Sequence, residues 1–223
     1  DLVRANNPSG LTLLMQIEQS AELGDPDDPF SIVSQDLSVT RNDATFTASY
    51  DGSTRTSTWL SPEGRSASAQ VDALGRILSA EVPGFAPVFW DYDANGRLSR
   101  IRQGTGPDER STTYAYGPGG RLASVSDALG RTETLSYDQV GRITALGFQD
   151  GREIRLAYDA ADNLVSLTPP DRPAHSVQYT PVDLPGKYSP PSTGPAPDTS
   201  YTFDADRQLT RIQQPDGRSI GIT

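Results

Sequence analysis

Cysteine is absent from all 223 residues, which removes disulfides, thiolate nucleophiles and thiolate metal ligands together and leaves the redox compartment open. Histidine occurs once, at His175, and no Gly-x-Ser-x-Gly turn accompanies it. Any Ser-His-Asp chemistry would depend on that one imidazole, so catalysis is not expected. Lysine also occurs once, at Lys187, and the remaining positive charge is arginine. With 29 acidic against 19 basic residues and a formal charge of -10, the chain lacks the clustered cations a phosphate backbone requires, which excludes nucleic acid as the expected partner. No apolar run approaches the roughly 20 residues that span a bilayer, so membrane insertion is not expected either. The chain opens at Asp1 with neither an initiator Met nor a signal-like segment and reads as a piece of something longer.

What the chain does hold is turn chemistry and a period. Gly (20) and Pro (18) are plentiful beside 35% apolar residues, a composition of many short strands joined by many turns. Tyr50, Val71, Tyr92, Tyr116, Tyr137, Tyr158, Tyr179 and Phe203 mark one register, spaced 21, 21, 24, 21, 21, 21 and 24 residues apart. A fixed period near 20 residues signals an array in which one unit is too small to fold alone and buries its apolar face only by stacking on neighbours.

The clearest copies are Tyr92-Asp-Ala-Asn-Gly-Arg-Leu98, Tyr137-Asp-Gln-Val-Gly-Arg-Ile143, Tyr158-Asp-Ala-Ala-Asp-Asn-Leu164 and Phe203-Asp-Ala-Asp-Arg-Gln-Leu209, with variants at Val71–Ile77 and Tyr116–Leu122. The Asp side chain bonds backbone amides just ahead of it and Gly accepts positive φ, so Asp-x-x-Gly predicts a type I turn closed by a left-handed residue. The repeat-defining positions are therefore Tyr92, Gly96, Arg97, Tyr116, Arg121, Tyr137, Gly141, Arg142, Tyr158 and Phe203. Before each turn apolar residues stand two apart, as in Trp90/Tyr92 and Leu135/Tyr137, which puts both on one face of a strand. After it they stand three apart, as in Leu98/Ile101 and Ile143/Leu146; this requires either a bulge or apolar contacts on both faces. A second turn follows half a period later (Pro62-Glu-Gly-Arg65, Asp127-Ala-Leu-Gly-Arg131, Gln149-Asp-Gly-Arg152, Pro170-Asp-Arg172, Pro215-Asp-Gly-Arg218), and the 24-residue spacings place their extra residues there. The expected fold is all-β: hairpins stacked edge to edge into a long antiparallel sheet, spiral or shell wall. The array spans 50–223, and residues 1–49 read as degenerate repeats or lead-in strands. Within them Leu11–Ile17 is either a strand or a short helix, and 24–29 is a turn-rich break.

Tyr-Asp-x-x-Gly-Arg-Leu at this spacing, interleaved with Pro-Asp-Gly-Arg, closely resembles the YD repeats of the rearrangement-hotspot (Rhs) family. The stretch 170–191 is similar to a variant block of large bacterial members. The resemblance covers about Tyr50 to Thr223. It implies a very large, secreted or surface-associated parent whose repeats wind a sheet into a spiral or hollow shell. Related shells enclose a toxin, and related animal proteins act in adhesion. For this chain it implies a structural, non-enzymatic segment without cofactor, whose partners are neighbouring repeats and the rest of the parent chain; it does not say what the shell holds, with toxin cargo or a surface glycan as the candidates. The open strand edges of such a sheet add self-association as an expectation. Nothing here matches the Asp-rich self-cleaving block of the toxin-enclosing members.

An alternative from another class is a glycan- or cell-binding adhesion module, using Trp59 and Trp90 as stacking platforms or the Pro-rich loop at 189–197. The strand positions of these rings favour core instead. Most Asp residues fall at turns, where local hydrogen bonds account for them, and Asp25, Asp27 and Asp28 lack calcium-loop spacing. The repeated arginines, with Asp alternating between them, read as a ladder along stacked turns.

Overall fold

The structure, a computed structural model, describes residues 2–6, 12–28, 31–191 and 198–222, with side chains from Met15 onward. The fold is all-β, and its only other regular elements among the described residues are two 3-10 turns, Gly106–Asp108 and Pro118–Gly120. Two compact units divide the chain, Asp1–Thr113 and Tyr114–Thr223.

The first unit contains β1 (Leu2–Asn6), β2 (Thr12–Leu23), β3 (Ile32–Arg41), β4 (Ala44–Asp51), β5 (Thr56–Leu60), β6 (Ser66–Val71), β7 (Ile77–Glu81), β8 (Val88–Tyr92), β9 (Leu98–Gln103) and the start of β10 (Arg110–Tyr116). Each pairs antiparallel with the next in sequence. Residues 12–17 are thus strand, which decides between the two readings of that segment. The second unit repeats the meander with β11 (Leu122–Ser126), β12 (Thr132–Tyr137), β13 (Ile143–Gly147), β14 (Glu153–Tyr158), β15 (Leu164–Thr168), β16 (His175–Tyr179), β17 (Pro185–Ser189), β18 (Thr199–Phe203), β19 (Leu209–Gln213) and β20 (Ser219–Gly221).

The register decides the three-residue spacing in favour of a bulge. Trp90 lies opposite Ile101 and Tyr92 opposite Leu98, with the slip between Asp91 and Tyr92. Ser99 is therefore the extra residue, and its Oγ donates to Asp91 O at 3.0 Å. Equivalent slips occur at Gln70/Val71, Ser136/Tyr137, Ala157/Tyr158, Gln178/Tyr179 and Thr202/Phe203. One extra residue per hairpin keeps both members of each apolar pair on the same face.

That face carries, across successive strands, Leu37, Ala48, Trp59 and Ala67 in the first unit and Leu135, Leu146 and Ile154 in the second. The opposite face is small and polar: Ala157, Ser166, Ser176 and Ser189 lie in one cross-strand row. The expectation of core rings is corrected here. No described apolar side chain is buried, because each unit is a single sheet layer and a one-layer sheet has nothing to close over its apolar face.

Candidate functional site

Within each unit the turns fall in two rows, one at each end of the strands. In the first row (51–55, 72–76 and 93–97 in the first unit; 117–121, 138–142, 159–163, 180–184 and 204–208 in the second) the local geometry follows from the motif. In the turn 93–97 the Asp93 amide donates to Arg97 O at 2.8 Å and the Gly96 amide to Asp93 O at 2.9 Å. Asp93 Oδ1 accepts the amides of Asn95 and Arg97, both at 2.9 Å, while Oδ2 takes Arg97 Nε at 2.8 Å. Arg97, first through its side chain and then through its amide, holds the Asp93 carboxyl below its ordinary value. The Asp72 carboxyl is lowered likewise, first by the Arg76 amide.

These arginines also leave their own turns. Arg76 stacks over the Tyr92 ring, with Cζ 4.5 Å from its centroid, and donates Nη1 to Gly96 O at 3.1 Å; Tyr92 in turn donates its hydroxyl to Ile77 O at 3.0 Å. Arginine, aromatic ring and glycine carbonyl from adjacent hairpins thus form a closed staple. In the second unit Arg121 lies 5.8 Å from the Tyr137 centroid and Arg142 lies 4.8 Å from that of Tyr158. Arg142 Nη1 also reaches Asp159 O at 2.9 Å and Asp162 Oδ1 at 2.6 Å. Asn163, where other copies have Arg, donates Nδ2 to Asp183 Oδ1 of the next turn at 2.9 Å. The glycine of the motif is required twice over: Gly96 has φ +79 and a Cβ there would lie 2.8 Å from Arg76 Nη1, while Gly141 has φ +100 with Arg121 Nη2 at 2.6 Å. Asp162 and Asp183 take the left-handed position at φ 68 and 61, and each offers the crossing side chain a carboxylate.

The second row behaves differently. Arg131 pairs with Asp127, Arg152 with Asp150 and Arg218 with Asp216, all inside their own turns. Their side chains are 57–81% exposed against 27–31% for Arg76, Arg97 and Arg142. Cβ atoms at Gly64, Gly130, Gly151 and Gly217 would meet nothing within 4 Å, as would those at Gly75 and Gly119 of the first row, so the close approach is particular to Gly96 and Gly141.

The model of the Teneurin YD-shell family matches residues 9–222. The chain belongs to the Teneurin YD-shell family. No curated protein matches this YD-shell chain. Among solved structures it is similar to the TcdB2-TccC3 complex (TM-score 0.56, 13% identity, covering 100% of this chain and 16% of that one) and to TcdB2-TccC3-Cdc42 (0.55, 15%, 100% and 16%). The Photorhabdus luminescens Tc holotoxin pore is similar too (0.53, 14%, 96% and 15%). At such identities the likeness is one of fold, and the YD-shell chain spans about one sixth of the length of each.

The remaining predicted residues of the YD-shell chain fall into separate places. Phe203 ends β18 opposite Leu209 and Tyr116 ends β10. Trp59 and Trp90 share the apolar face but are not brought together: Trp59 stands between Ala48 and Ala67, and Trp90 opposite Ile101. His175 Nδ1 lies 2.6 Å from the Tyr188 hydroxyl, a hydrogen bond between neighbouring strands. The Pro-rich loop lies, for 192–197, outside the described residues, as does Pro29 of the 24–29 break. Asp25 Oδ1 accepts the Asp27 amide at 3.0 Å, and among the described residues no three His, Cys, Asp or Glu side chains are grouped to hold a metal. Sequence reasoning paired each Arg with an Asp but missed its reach into the next hairpin. The only signal was that Arg at one turn and Gly at the next recur about 20 residues apart. It also missed Asp91, gripped by Arg100 at 2.8 Å and Arg102 at 3.0 Å on the polar face, and the Lys187–Asp198 pair at 2.8 Å.

Proposed function

We propose that this YD-shell chain is a non-enzymatic structural segment of a large secreted bacterial protein, a length of wall that excludes solvent and scaffolds what lies behind it. The observation that carries this reading is the row of staples, in which a side chain of one hairpin is fixed to the ring and turn of the next, so that stacking rather than a central core gives the array its rigidity. The single imidazole, His175, is engaged by Tyr188, which supports a role without catalysis. The partners in this reading are neighbouring repeats and the rest of the parent chain, with a toxin as cargo, and no cofactor takes part. No helix is long and apolar enough to cross a membrane among the described residues. Electron microscopy of the intact parent protein tests the proposal: a closed hollow particle with density inside is the expected result, and an open filament with nothing enclosed overturns it.

The adhesion reading has one observation in its favour, the exposure of the Trp59 ring on the sheet face. Glycan binding that Trp59→Ala removes while the fold persists would support it over the wall.

A further inference from the structure

The apolar face is not uniform. Around Trp59 the neighbouring strands present Ala48 and Ala67, with Leu37, Val39 and Phe46 on the strands beyond and beside Ala48. Alanine on both sides of an indole leaves a hollow of about 380 Å³, closed along one side by Leu37, Val39 and Phe46 and met by Arg65 from the adjoining turn. Phe46 and Trp59 keep 50% and 45% of their surface exposed, so two large rings stand ready to cover a ligand.

Arg65 differs from the stapled arginines. Its turn begins with Ser61 in the place that Asp72, Asp93 and Asp138 hold elsewhere. The Ser61 hydroxyl is spent on Glu63 Oε2 at 3.0 Å and on the Arg65 amide at 3.2 Å. The Glu63 carboxyl, held low first by Ser61, feels Arg65 only through space. The Arg65 guanidinium therefore makes no ion-pair contact among the described residues, beside an apolar trough.

We propose that this hollow binds a carboxylate-headed amphiphile, a medium-chain fatty acid, with its acyl chain across Ala48 and Ala67 against the Trp59 indole and its carboxylate on the Arg65 guanidinium. One fork-shaped cation at the end of an apolar strip matches one carboxylate at the end of an acyl chain. A neutral apolar ligand would leave Arg65 unused, and a sugar would face a lining that is mostly hydrocarbon, with Thr47, Ser61, Ser66 and Arg65 its polar members. The site is independent of whether the wall encloses cargo.

The test uses the whole chain carrying Trp90→Phe, so that indole emission reports Trp59 alone, titrated with octanoate, decanoate and decanol below their aggregation thresholds. Decanoate should give a saturable blue shift and bind about fourfold more tightly than octanoate, the gain from half-burying two further methylenes. Arg65→Ala, in an exposed turn and checked for folding by circular dichroism, should weaken decanoate about two- to fivefold, the worth of a part-exposed ion pair, and leave decanol unchanged. A shift that does not saturate overturns the site. Equal affinity for decanol and decanoate, or indifference to Arg65→Ala, overturns the assignment of the carboxylate. A neutral oligosaccharide that produces the same saturable shift identifies a glycan platform and overturns the amphiphile.

Discussion

Replacing Gly96 by Ala, with Gly64→Ala as its control, isolates the energy of one staple. Both glycines close a five-residue turn in the first unit and both are left-handed, at φ +79 and +75. Adding a Cβ at that φ costs about 1–2 kcal/mol from backbone sterics alone. At Gly64 the new methyl meets nothing within 4 Å, so the cost stops there. At Gly96 it lies 2.8 Å from Arg76 Nη1, and the flexible guanidinium is the part that yields. It gives up its bond to Gly96 O, a charged donor worth about 1.5–3 kcal/mol when fully formed, and its seat on Tyr92, worth about 0.5–1 kcal/mol. Arg76 is part-exposed and keeps its Asp72 partner, so the net additional loss should be about 1–2 kcal/mol. Gly96→Ala should then destabilise by about 2–4 kcal/mol in all. Urea unfolding read by tryptophan emission measures the difference as a shift of midpoint at unchanged slope; Trp59 precedes one turn and Trp90 the other. The double variant Arg76→Ala/Gly96→Ala completes the cycle: with the guanidinium gone, Gly96→Ala should cost no more than Gly64→Ala, a coupling of about 1–2 kcal/mol. Equal losses at the two glycines, or strict additivity of the pair, would refute the staple.

Arg142→Ala should cost about 2 kcal/mol, because a half-buried guanidinium loses Asp138, Asp159 O, Asp162 and the Tyr158 ring together, whereas Arg131→Ala, which loses only Asp127, should cost less than about 1 kcal/mol; matched thermal melts decide. Tyr92→Phe removes the hydroxyl bonded to Ile77 O and should cost about 1 kcal/mol, with faster amide exchange around Ile77 as its local sign. The turn carboxyls of Asp72, Asp93 and Asp127 are all lowered from 3.8, so their folded values lie below their unfolded ones. The stability they contribute is present above the ordinary carboxylate value and is lost as pH falls through the lowered values. Melting temperature should therefore hold as pH drops from 7 toward 4 and collapse below 4, and a fall already complete by pH 5 would contradict the turn geometry.

How much of this was readable in the chain depends on the range of the interaction. The Asp93 turn is written within five residues, and its hydrogen bonds follow from the residue types alone. The same-face pairing of Trp90 and Tyr92 needs only the two-residue period of a strand. The Leu98/Ile101 spacing left bulge and two-sided contact open, because only the partner strand fixes register, and Ser99 is recognisable as the extra residue only once Tyr92 is opposite Leu98. Arg76 over Tyr92 depends on two hairpins being stacked at strand spacing, which no local rule supplies. Trp59 and Trp90 were named for their ring type, but the hollow beside Trp59 comes from Ala48 and Ala67 on the neighbouring strands. The expectation of core rings failed for a geometric reason: same-face placement says which way a ring points, not whether a second layer covers it.

The two rows of turns set different terms for lengthening the chain. The first-row turns 93–97 and 159–163 each carry a ring, a carbonyl and a neighbour's guanidinium at fixed distances, and an inserted residue there would unseat two hairpins. The second-row turns at Asp127, Asp150 and Asp216 answer only to their own Asp and Arg, and the longer connection with its 3-10 turn at Gly106–Asp108 already sits in that row. Foreign loops, tags or binding peptides should therefore graft at Asp127, Asp150 or Asp216 with little loss of stability, giving an engineer, as it gives natural variation, one permissive margin and one closed one.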